Sequence, residues 1–290
     1  MCDNDSVDDI LDYQLRTGVS RRQFGVLTLG AAFAMLPKIA DAAETKDADV
    51  EIKTADGVAD AYFVHPAKGK HPGVLVWPDI FGLRPAFKQM AKRLAESGYS
   101  VLVVNPFYRI HKAPTAAEHA DFNDPETRKA LMALMGSLNS GTALTDAAAF
   151  IAYLDKQPTV DKKRKIGTMG YCMGGPLTMR TAAALPERIG AAASFHGGGL
   201  VTDKPDSPHL LIPKIKAQYL FAIAENDDQH QPEAKDVLRE AFAKANLAAE
   251  IEVYTATLHG WCPLDSQAYN EAQAEKAWSR MLLLFKTALG

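Results

Sequence analysis

A glycine-rich segment, residues 170–175, constrains the fold of this chain more than any other part. Its sequence is GYCMGG, and it lies between the apolar run 165–169 and the segment 176–180. This order predicts a strand, a sharp turn and a helix, with Gly170 and Gly174 where strand and helix come too close for a Cβ atom. The turn would hold the side chain between these glycines above the carboxyl end of the strand.

The residue at the centre of this turn is Cys172, which predicts a thiol nucleophile for acyl transfer. A nucleophile between two glycines at this spacing is typical of a nucleophile elbow. The backbone N–H of Met173 falls at the start of the predicted helix, where it is placed to stabilise an oxyanion. The segment alone leaves two alternatives: a buried cysteine without chemistry, and a glycine-rich turn that binds phosphate.

An acid and a histidine follow Cys172 in the chain order of a hydrolytic triad. Asp227 comes after the apolar run 217–223, and His259 comes after the strand-like run 251–254. Both therefore fall at the carboxyl ends of predicted strands, where open α/β sheets place their ligands. The intervals between the three residues are long enough for the helices and strands that must lie between them. We predict a Cys-His-Asp catalytic triad.

Strand-like and helical segments alternate along the rest of the chain. The predicted strands are 58–65, 73–77, 100–105, 165–169, 189–195, 217–223 and 249–254. The predicted helices are 84–97, 126–138, 144–156, 177–185, 232–245 and 266–288. This alternation predicts an α/β protein with a mostly parallel, doubly wound sheet covered by helices on both faces. The long polar connection 107–125 starts at a strand end, and we interpret it as the rim of a pocket.

With these motifs the chain resembles the dienelactone hydrolase family of the α/β-hydrolase fold, from about residue 50 to the C-terminus. The segments that carry the resemblance are 77–83, 105–109, 170–175, 225–227 and 259–260. The resemblance implies one hydrolase domain at 43–290. It also implies hydrolysis of a small ester or lactone through a thioester acyl-enzyme, for which a carboxymethylenebutenolidase-type reaction is one candidate.

The resemblance implies roles for individual residues as well. It assigns Cys172 as nucleophile, His259 as base and Asp227 as the residue that orients the base. Asp79 falls where the family usually has a glutamate that interacts with the resting thiol, which makes it a candidate thiol switch; a helix-capping role is the alternative. The N–H of Ile80 is implied as the second oxyanion donor beside that of Met173.

Substrate-binding residues are implied around the same edge of the sheet. Arg109 falls on an arginine that binds the substrate carboxylate in the family, although a role in bridging a surface carboxylate is the alternative. The family's second carboxylate-binding arginine is replaced here by Pro263. Half of the anionic clamp is therefore missing, and we expect a less charged substrate. Tyr108, His196 and Trp261 are further candidates for the pocket wall, with a structural role as the alternative for His196.

Several function classes do not fit this sequence. The net charge is −3, and the basic cluster 162–165 precedes a predicted strand, so we expect no nucleic-acid binding. His230 lies near Asp227 without a third ligand at suitable spacing, so we expect no metal ion, and we expect no cofactor. Two alternatives remain for the function: an acyltransferase or thioesterase with the same triad, and a non-catalytic binding protein of the same fold.

Residues 1–42 predict a twin-arginine signal peptide. Residues 20–24 read SRRQF, the apolar run 25–36 follows, and 40–42 form an A-x-A cleavage signature. We expect export by the twin-arginine machinery to the periplasm or the exterior. The apolar run is too short for a permanent membrane span, and we expect a monomer after cleavage. The alternative is a buried or amphipathic helix with a chance arginine pair.

The sequence contains three cysteines. Cys2 would leave with the signal peptide, which leaves Cys172 and Cys262 in the mature domain. A disulfide between these two would block catalysis, and it stands as an alternative resting form.

Overall fold

One mixed sheet organises residues 42–290, which are the residues that this computed structural model describes. Residues 1–41 of the predicted signal peptide (1–42) lie outside the described residues. The strands are β1 (Thr45–Thr54), β2 (Gly57–Pro66), β3 (Gly73–Trp77), β4 (Ser100–Val104), β5 (Ile166–Tyr171), β6 (Ile189–Phe195), β7 (Gln218–Ala224) and β8 (Ala249–Tyr254). The helices are α1 (Pro85–Glu96), α2 (Pro125–Met135), α3 (Ser140–Lys156), α4 (Gly174–Ala184), α5 (Glu225–His230), α6 (Ala234–Lys244) and α7 (Glu271–Ala288), with a 3₁₀ segment at Pro208–Lys214.

The strand order in the sheet is β1-β2-β4-β3-β5-β6-β7-β8. β2 pairs antiparallel with β1 and with β4, whereas every pairing from β4 to β8 is parallel. The carboxyl ends of the parallel strands therefore meet at one edge of the sheet. The connections after β3, β5, β7 and β8 consequently start next to one another, and these connections carry the candidate catalytic residues.

The sheet has an apolar core on each face. Side chains along β3 alternate between the two cores: Leu75 and Trp77 belong to one, and Val74 and Val76 to the other. The first core includes side chains of α3, α4 and α6, and the second includes side chains of α1 and α7. Because both faces are covered, all five residues of β3 are buried. The prediction of a mostly parallel sheet covered on both faces is confirmed.

The first strand was missed by the sequence analysis. β1 pairs with β2 from Thr45 opposite Pro66 to Thr54 opposite Gly57, which makes an edge hairpin. Most of its residues are exposed, and Ile52 is its one buried side chain. The segment reads TKDADVEIKT, so charged residues mask the alternation that usually predicts a strand. Charged side chains on an edge strand commonly disfavour its pairing with strands of other chains.

Helix boundaries differ from the predictions where side chains cap the helix ends. Asn139 and Thr142 form a reciprocal capping box, so α3 begins at residue 140 rather than at 144. At the other end of the chain, α7 begins at residue 271 rather than at 266, with Asn270 as its cap. Residues 266–270 instead include a turn in which Tyr269 N–H donates to the Ser266 carbonyl at 3.1 Å. The short helix α5 and the 3₁₀ segment were not predicted.

The turn between β5 and α4 has the strand–turn–helix form that the sequence predicts. A Cβ atom on Gly170 would lie 2.1 Å from the Gly174 carbonyl oxygen. A Cβ atom on Gly174 would lie 2.4 Å from the Trp77 carbonyl oxygen. Cys172 itself has a φ of 53°, in the left-handed region that non-glycine residues seldom adopt. Backbone thus packs directly on backbone around the cysteine.

We expect Gly174→Ala to lower the free energy of unfolding by about 3 kcal/mol, because the new methyl group meets the backbone of β3 rather than a movable side chain. Gly136→Ala is the matched control. A Cβ there would lie 3.4 Å from its nearest neighbour, an ordinary contact, so we expect a change within about 0.5 kcal/mol. Urea unfolding of both variants measures the difference. Equal destabilisation of the two would contradict the close approach at Gly174.

Candidate active site

Cys172 is held in place by backbone hydrogen bonds at the end of β5. Its N–H donates to the Phe195 carbonyl at 3.1 Å, and its carbonyl accepts from Gly175 N–H at 3.0 Å. The side chain is buried, and Met173 is the residue immediately before α4. These bonds hold the positive φ of the cysteine, and they place the Met173 N–H at the helix start, where an oxyanion donor is expected.

Asp227 and His259 are in direct contact, although they come from different connections. Asp227 lies in α5, immediately after β7, and His259 lies in the connection after β8. The Nδ1 atom of His259 is 2.9 Å from each carboxylate oxygen of Asp227. A carboxylate can only accept here, so Nδ1 carries the proton and Nε2 is left as the basic nitrogen. This is the tautomer that a general base needs.

Further hydrogen bonds join the two connections that carry this pair. The side-chain oxygen of Asn226 accepts from His259 N–H at 2.8 Å. In the same region, Thr257 Oγ1 accepts from Glu225 N–H at 3.1 Å, and Glu225 Oε2 accepts from Ala256 N–H at 2.9 Å. The histidine backbone is therefore fixed relative to the acid. Apart from the polar character of residues 225–227, no sequence pattern predicts these bonds.

His196 lies against the ring of His259. The two ring centroids are 5.1 Å apart in an edge-to-face arrangement, and the Trp261 ring centroid is 6.4 Å from that of His196. Burial lowers the pKa of His196 well below its ordinary value, and the nearby His259 lowers that pKa further. A neutral His196 adds no charge behind the candidate base. The structure brings His196 and Trp261 to this site, and their contact with substrate stays a prediction.

Apolar side chains surround Cys172. Its cluster combines Met173 with Ile80 from the connection after β3, Phe107 from the connection after β4 and Leu131 from α2. Six partly buried apolar residues extend this cluster: Phe81, Ala116, Phe122, Leu134, Met135 and Leu138. Most of them belong to the connection after β4 and to the helix region that follows it. This placement agrees with our interpretation of residues 107–125 as a pocket rim.

The carboxylate of Asp79 is paired with an arginine that the sequence analysis did not single out. Arg84 Nη1 and Nη2 donate to the two Asp79 oxygens at 2.6 and 2.9 Å. Phe81 N–H donates to Asp79 Oδ1 at 3.0 Å, which closes a tight turn around Ile80. Asp79 thus organises the turn that carries Ile80. Its role as a thiol switch stays a prediction.

Arg109 and Tyr108 are both bound to other parts of the fold. Arg109 Nη1 and Nη2 donate to the Asp146 carboxylate of α3 at 2.7 Å each. Arg109 Nε donates to Asp56 in the β1–β2 turn at 2.9 Å. Tyr108 Oη donates to Asp146 at 2.8 Å and lies 2.8 Å from Thr54 Oγ1. These contacts favour the alternative in which Arg109 bridges carboxylates, and its binding of a substrate carboxylate stays a prediction.

Cys262 differs from Cys172 in its surroundings. Within residues 42–290, neither of these cysteines forms a disulfide. Cys262 lies in the lining of a small cavity together with Tyr171, Arg93 and Trp278. Burial raises the pKa of the Cys262 thiol well above its ordinary value, so this cysteine stays protonated and unreactive near neutral pH.

Iodoacetamide should therefore modify Cys172 in the folded protein and leave Cys262 unmodified. Peptide mapping by mass spectrometry after brief labelling at neutral pH gives the extent of modification at each site. We expect a ratio of about a hundred or more in favour of Cys172, since the raised pKa of Cys262 leaves almost no thiolate there, whereas the predicted base His259 would deprotonate Cys172. Labelling in urea is the control that should equalise the two sites. Preferential modification of Cys262 in the folded protein would reverse this assignment.

Two kinds of feature are absent from residues 42–290. Within this part of the chain, no three His, Cys, Asp or Glu side chains are grouped so that they could hold a metal ion. None of the helices in the same range combines the length and the apolar character required to cross a membrane.

The strand order and the placement of the site define the class of protein. An elbow after β5, an acid after β7 and a histidine after β8, on a sheet that is parallel from β4 onwards, are the features of an α/β-hydrolase fold. The sequence profile of the dienelactone hydrolase family matches residues 59–289. The chain belongs to the dienelactone hydrolase family, and it is a hydrolase.

Individual relatives agree with this assignment. A Synechocystis protein provisionally named carboxymethylenebutenolidase is 30% identical over 233 residues, which are 79% of this chain and 91% of the relative. The carboxymethylenebutenolidase of Rhodococcus opacus is 27% identical over 224 residues, 76% of this chain and 83% of that enzyme. The crystal structure of a Klebsiella pneumoniae protein provisionally named dienelactone hydrolase covers 84% of this chain and 99% of its own, with a TM-score of 0.73 at 23% identity. That structural likeness shows the shared fold.

Proposed function

We propose that this protein hydrolyses small, neutral esters or lactones through a Cys-His-Asp triad and a thioester intermediate. The observation that carries the proposal is the contact of Asp227 with Nδ1 of His259, at 2.9 Å from both carboxylate oxygens. That contact leaves Nε2 as a base at the sheet edge where the Cys172 elbow lies. The names of the Synechocystis and Rhodococcus relatives support a lactone as substrate.

The reaction proceeds in two halves. In the first, His259 Nε2 takes the thiol proton, and Cys172 Sγ attacks the acyl carbon to form a tetrahedral oxyanion. The N–H groups of Met173 and Ile80 stabilise this oxyanion. Collapse breaks the bond to the leaving oxygen, which receives the proton from His259. In the second half His259 deprotonates a water molecule, the water attacks the thioester, and the acid leaves as Cys172 regains its proton.

Three features support a neutral substrate. Arg109 is already bound to Asp146 and Asp56, which compete with any substrate carboxylate. Pro263 stands where the family has its second carboxylate-binding arginine. The side chains that cluster around Cys172, such as Phe107 and Leu131, are apolar. An acyl group without charge loses no favourable hydration when it enters such surroundings, whereas a carboxylate would.

An acyltransferase or thioesterase would use the same residues with a different acceptor or donor. The acceptor that attacks the acyl-enzyme distinguishes an acyltransferase, whereas the acyl donor distinguishes a thioesterase. A panel of ester and thioester donors, with water, alcohols or thiols as acceptors, separates these activities. Export through the twin-arginine pathway is a separate part of our proposal. It is supported by the SRRQF motif, the apolar run and the A-x-A signature, all within residues 20–42.

Cys172→Ala should abolish hydrolysis, with a loss of about 10⁴-fold or more in kcat/KM. His259→Ala should lose a similar factor, and Asp227→Asn somewhat less, because the asparagine leaves the imidazole in the wrong tautomer. The double variant of Asp227 and His259 should be no worse than His259→Ala, since the two residues act as a unit. The assay is hydrolysis of p-nitrophenyl butyrate with circular dichroism to verify folding. A Cys172→Ala protein with a tenth of the wild-type rate would refute the nucleophile assignment.

Leu131→Ala should weaken selection for longer neutral acyl groups. We expect the ratio of kcat/KM for p-nitrophenyl hexanoate over acetate to fall about tenfold, because the smaller side chain buries less of the acyl tail. Met132→Ala is the matched control, because Met132 is the next residue of α2, is 37% exposed and lies outside the Cys172 cluster. This ratio of two kcat/KM values does not depend on the amount of folded protein.

A second comparison tests the neutral substrate itself. A wild-type preference for p-nitrophenyl hemisuccinate, which carries a carboxylate, over p-nitrophenyl butyrate would argue against it.

A further inference from the structure

Arg84 binds carboxylates from two separate connections of the fold. On one side its Nη1 and Nη2 atoms donate to the two oxygens of Asp79 at 2.6 and 2.9 Å. On the other side its Nε and Nη2 atoms donate to the two oxygens of Asp265 at 2.7 and 2.9 Å. Each contact is a bidentate pair, which is the strongest arrangement that an arginine and a carboxylate can form.

The guanidinium at the centre of this interaction is shielded from solvent. The side chains of Arg84 and Asp79 are only 14% and 9% exposed, whereas that of Asp265 is 34% exposed. The guanidinium carbon also lies 4.8 Å from the ring centroid of Phe87 and 5.4 Å from that of Phe81. Burial by itself would lower the pKa of Arg84, but Asp79 and Asp265 outweigh that effect and raise the pKa above its ordinary value. The Asp79 pair is therefore more than a surface contact of the kind that contributes little, and the partly exposed Asp265 binds the same shielded guanidinium.

The two connections that Arg84 joins hold different parts of the candidate site. Residues 78–84, which we call the oxyanion loop, follow β3 and include Ile80. Residues 255–270, which we call the histidine loop, follow β8 and include His259. Asp265 comes six residues after that histidine and two after Pro263. The only sequence signal for the link is the presence of the charged residues, since the partners are 181 positions apart.

We propose that Arg84 is a positioning residue that holds the oxyanion loop and the histidine loop at a fixed separation. The inference rests on the proposed function, because it assigns the Ile80 N–H to the oxyanion and His259 to proton transfer. If Arg84 no longer joined the loops, each group would still be present, but their mutual distance would vary. A displacement of about 1 Å at such a site is costly, up to about a hundredfold in rate.

An arginine is required for this role by geometry rather than by charge alone. The planar guanidinium presents donors along two edges, so it can satisfy two carboxylates at once. The lysine ammonium is a compact point charge on a flexible stem, and it cannot form two bidentate pairs. Arg84→Lys therefore keeps the positive charge while it removes the fixed geometry. It is the variant of choice, together with Asp265→Asn, which weakens the histidine-loop side only.

Amide hydrogen exchange tests the link without any assay of activity. Both Arg84→Lys and Asp265→Asn should raise exchange in the two loops together, by about tenfold where the amides are protected in the wild type. Arg188→Lys is the matched control. Arg188 pairs with Asp155 at 2.7 Å with 20% exposure, and it precedes β6 at the opposite edge of the sheet. The proposal would be overturned if one of the two loops exchanged at the wild-type rate in both Arg84→Lys and Asp265→Asn.

Kinetics test the positioning role. Arg84→Lys should lower kcat for p-nitrophenyl butyrate about tenfold to a hundredfold with little change in KM, because the loss falls on the oxyanion. The rate at which iodoacetamide alkylates Cys172 should stay within about threefold, since that reaction forms no oxyanion and the bonds of Asn226 and Asp227 still hold His259. A merely structural role would lower both rates or neither, and either result would refute positioning. A different result would separate the two proposals. If both variants raise exchange in the two loops but the wild type, although alkylated at Cys172, hydrolyses no ester, the proposed function fails while the link between the loops stands.

Discussion

Contact between backbone atoms at the β5–α4 turn is the constraint on which the rest of the site depends. At Gly170 and Gly174 the strand and the helix approach until no Cβ atom fits between them. The same approach brings α4 against the end of β3, at Trp77. The cysteine held this way, Cys172, has little freedom to move relative to the sheet. Its position is set by the main chain rather than by the packing of side chains, which could rearrange.

The remaining candidate groups lie in the connections that follow other strands, and such connections are less rigid than strands. The connections after β7 and β8 are joined by the hydrogen bonds of Asn226 and Thr257. Asp79 closes the turn after β3 around Ile80. These hydrogen bonds hold the backbone of the connections in place, which would otherwise be less ordered. The candidate site therefore combines a rigid turn at Cys172 with connections that are held in place by hydrogen bonds.

The sequence predicted the parts of this protein whose signals are local. The elbow is one example, because glycine spacing, a strand before it and a helix after it all lie within about fifteen residues. The parallel sheet is another, since its buried strands are continuous apolar runs. β1 was missed because its exposed face carries charge, and Asp146 was missed because a lone acid inside a helix has no pattern. Arg109 shows the main limit: its position at a strand end was predicted, but its partners lie on the β1–β2 turn and on α3.

The Arg109 contacts also affect how this fold could be redesigned. Tyr108 and Arg109 both donate to Asp146 of α3, and Arg109 also donates to Asp56 in the β1–β2 turn. Arg109 therefore links that turn to α3. An engineer who wished to introduce a carboxylate-binding pocket could not simply add a second cation. The arginine would first have to be released from Asp56 and Asp146, and the β1–β2 turn would lose this contact with α3 as a result. Binding of a substrate anion and attachment of the β1–β2 turn to α3 therefore compete for the side chain of Arg109.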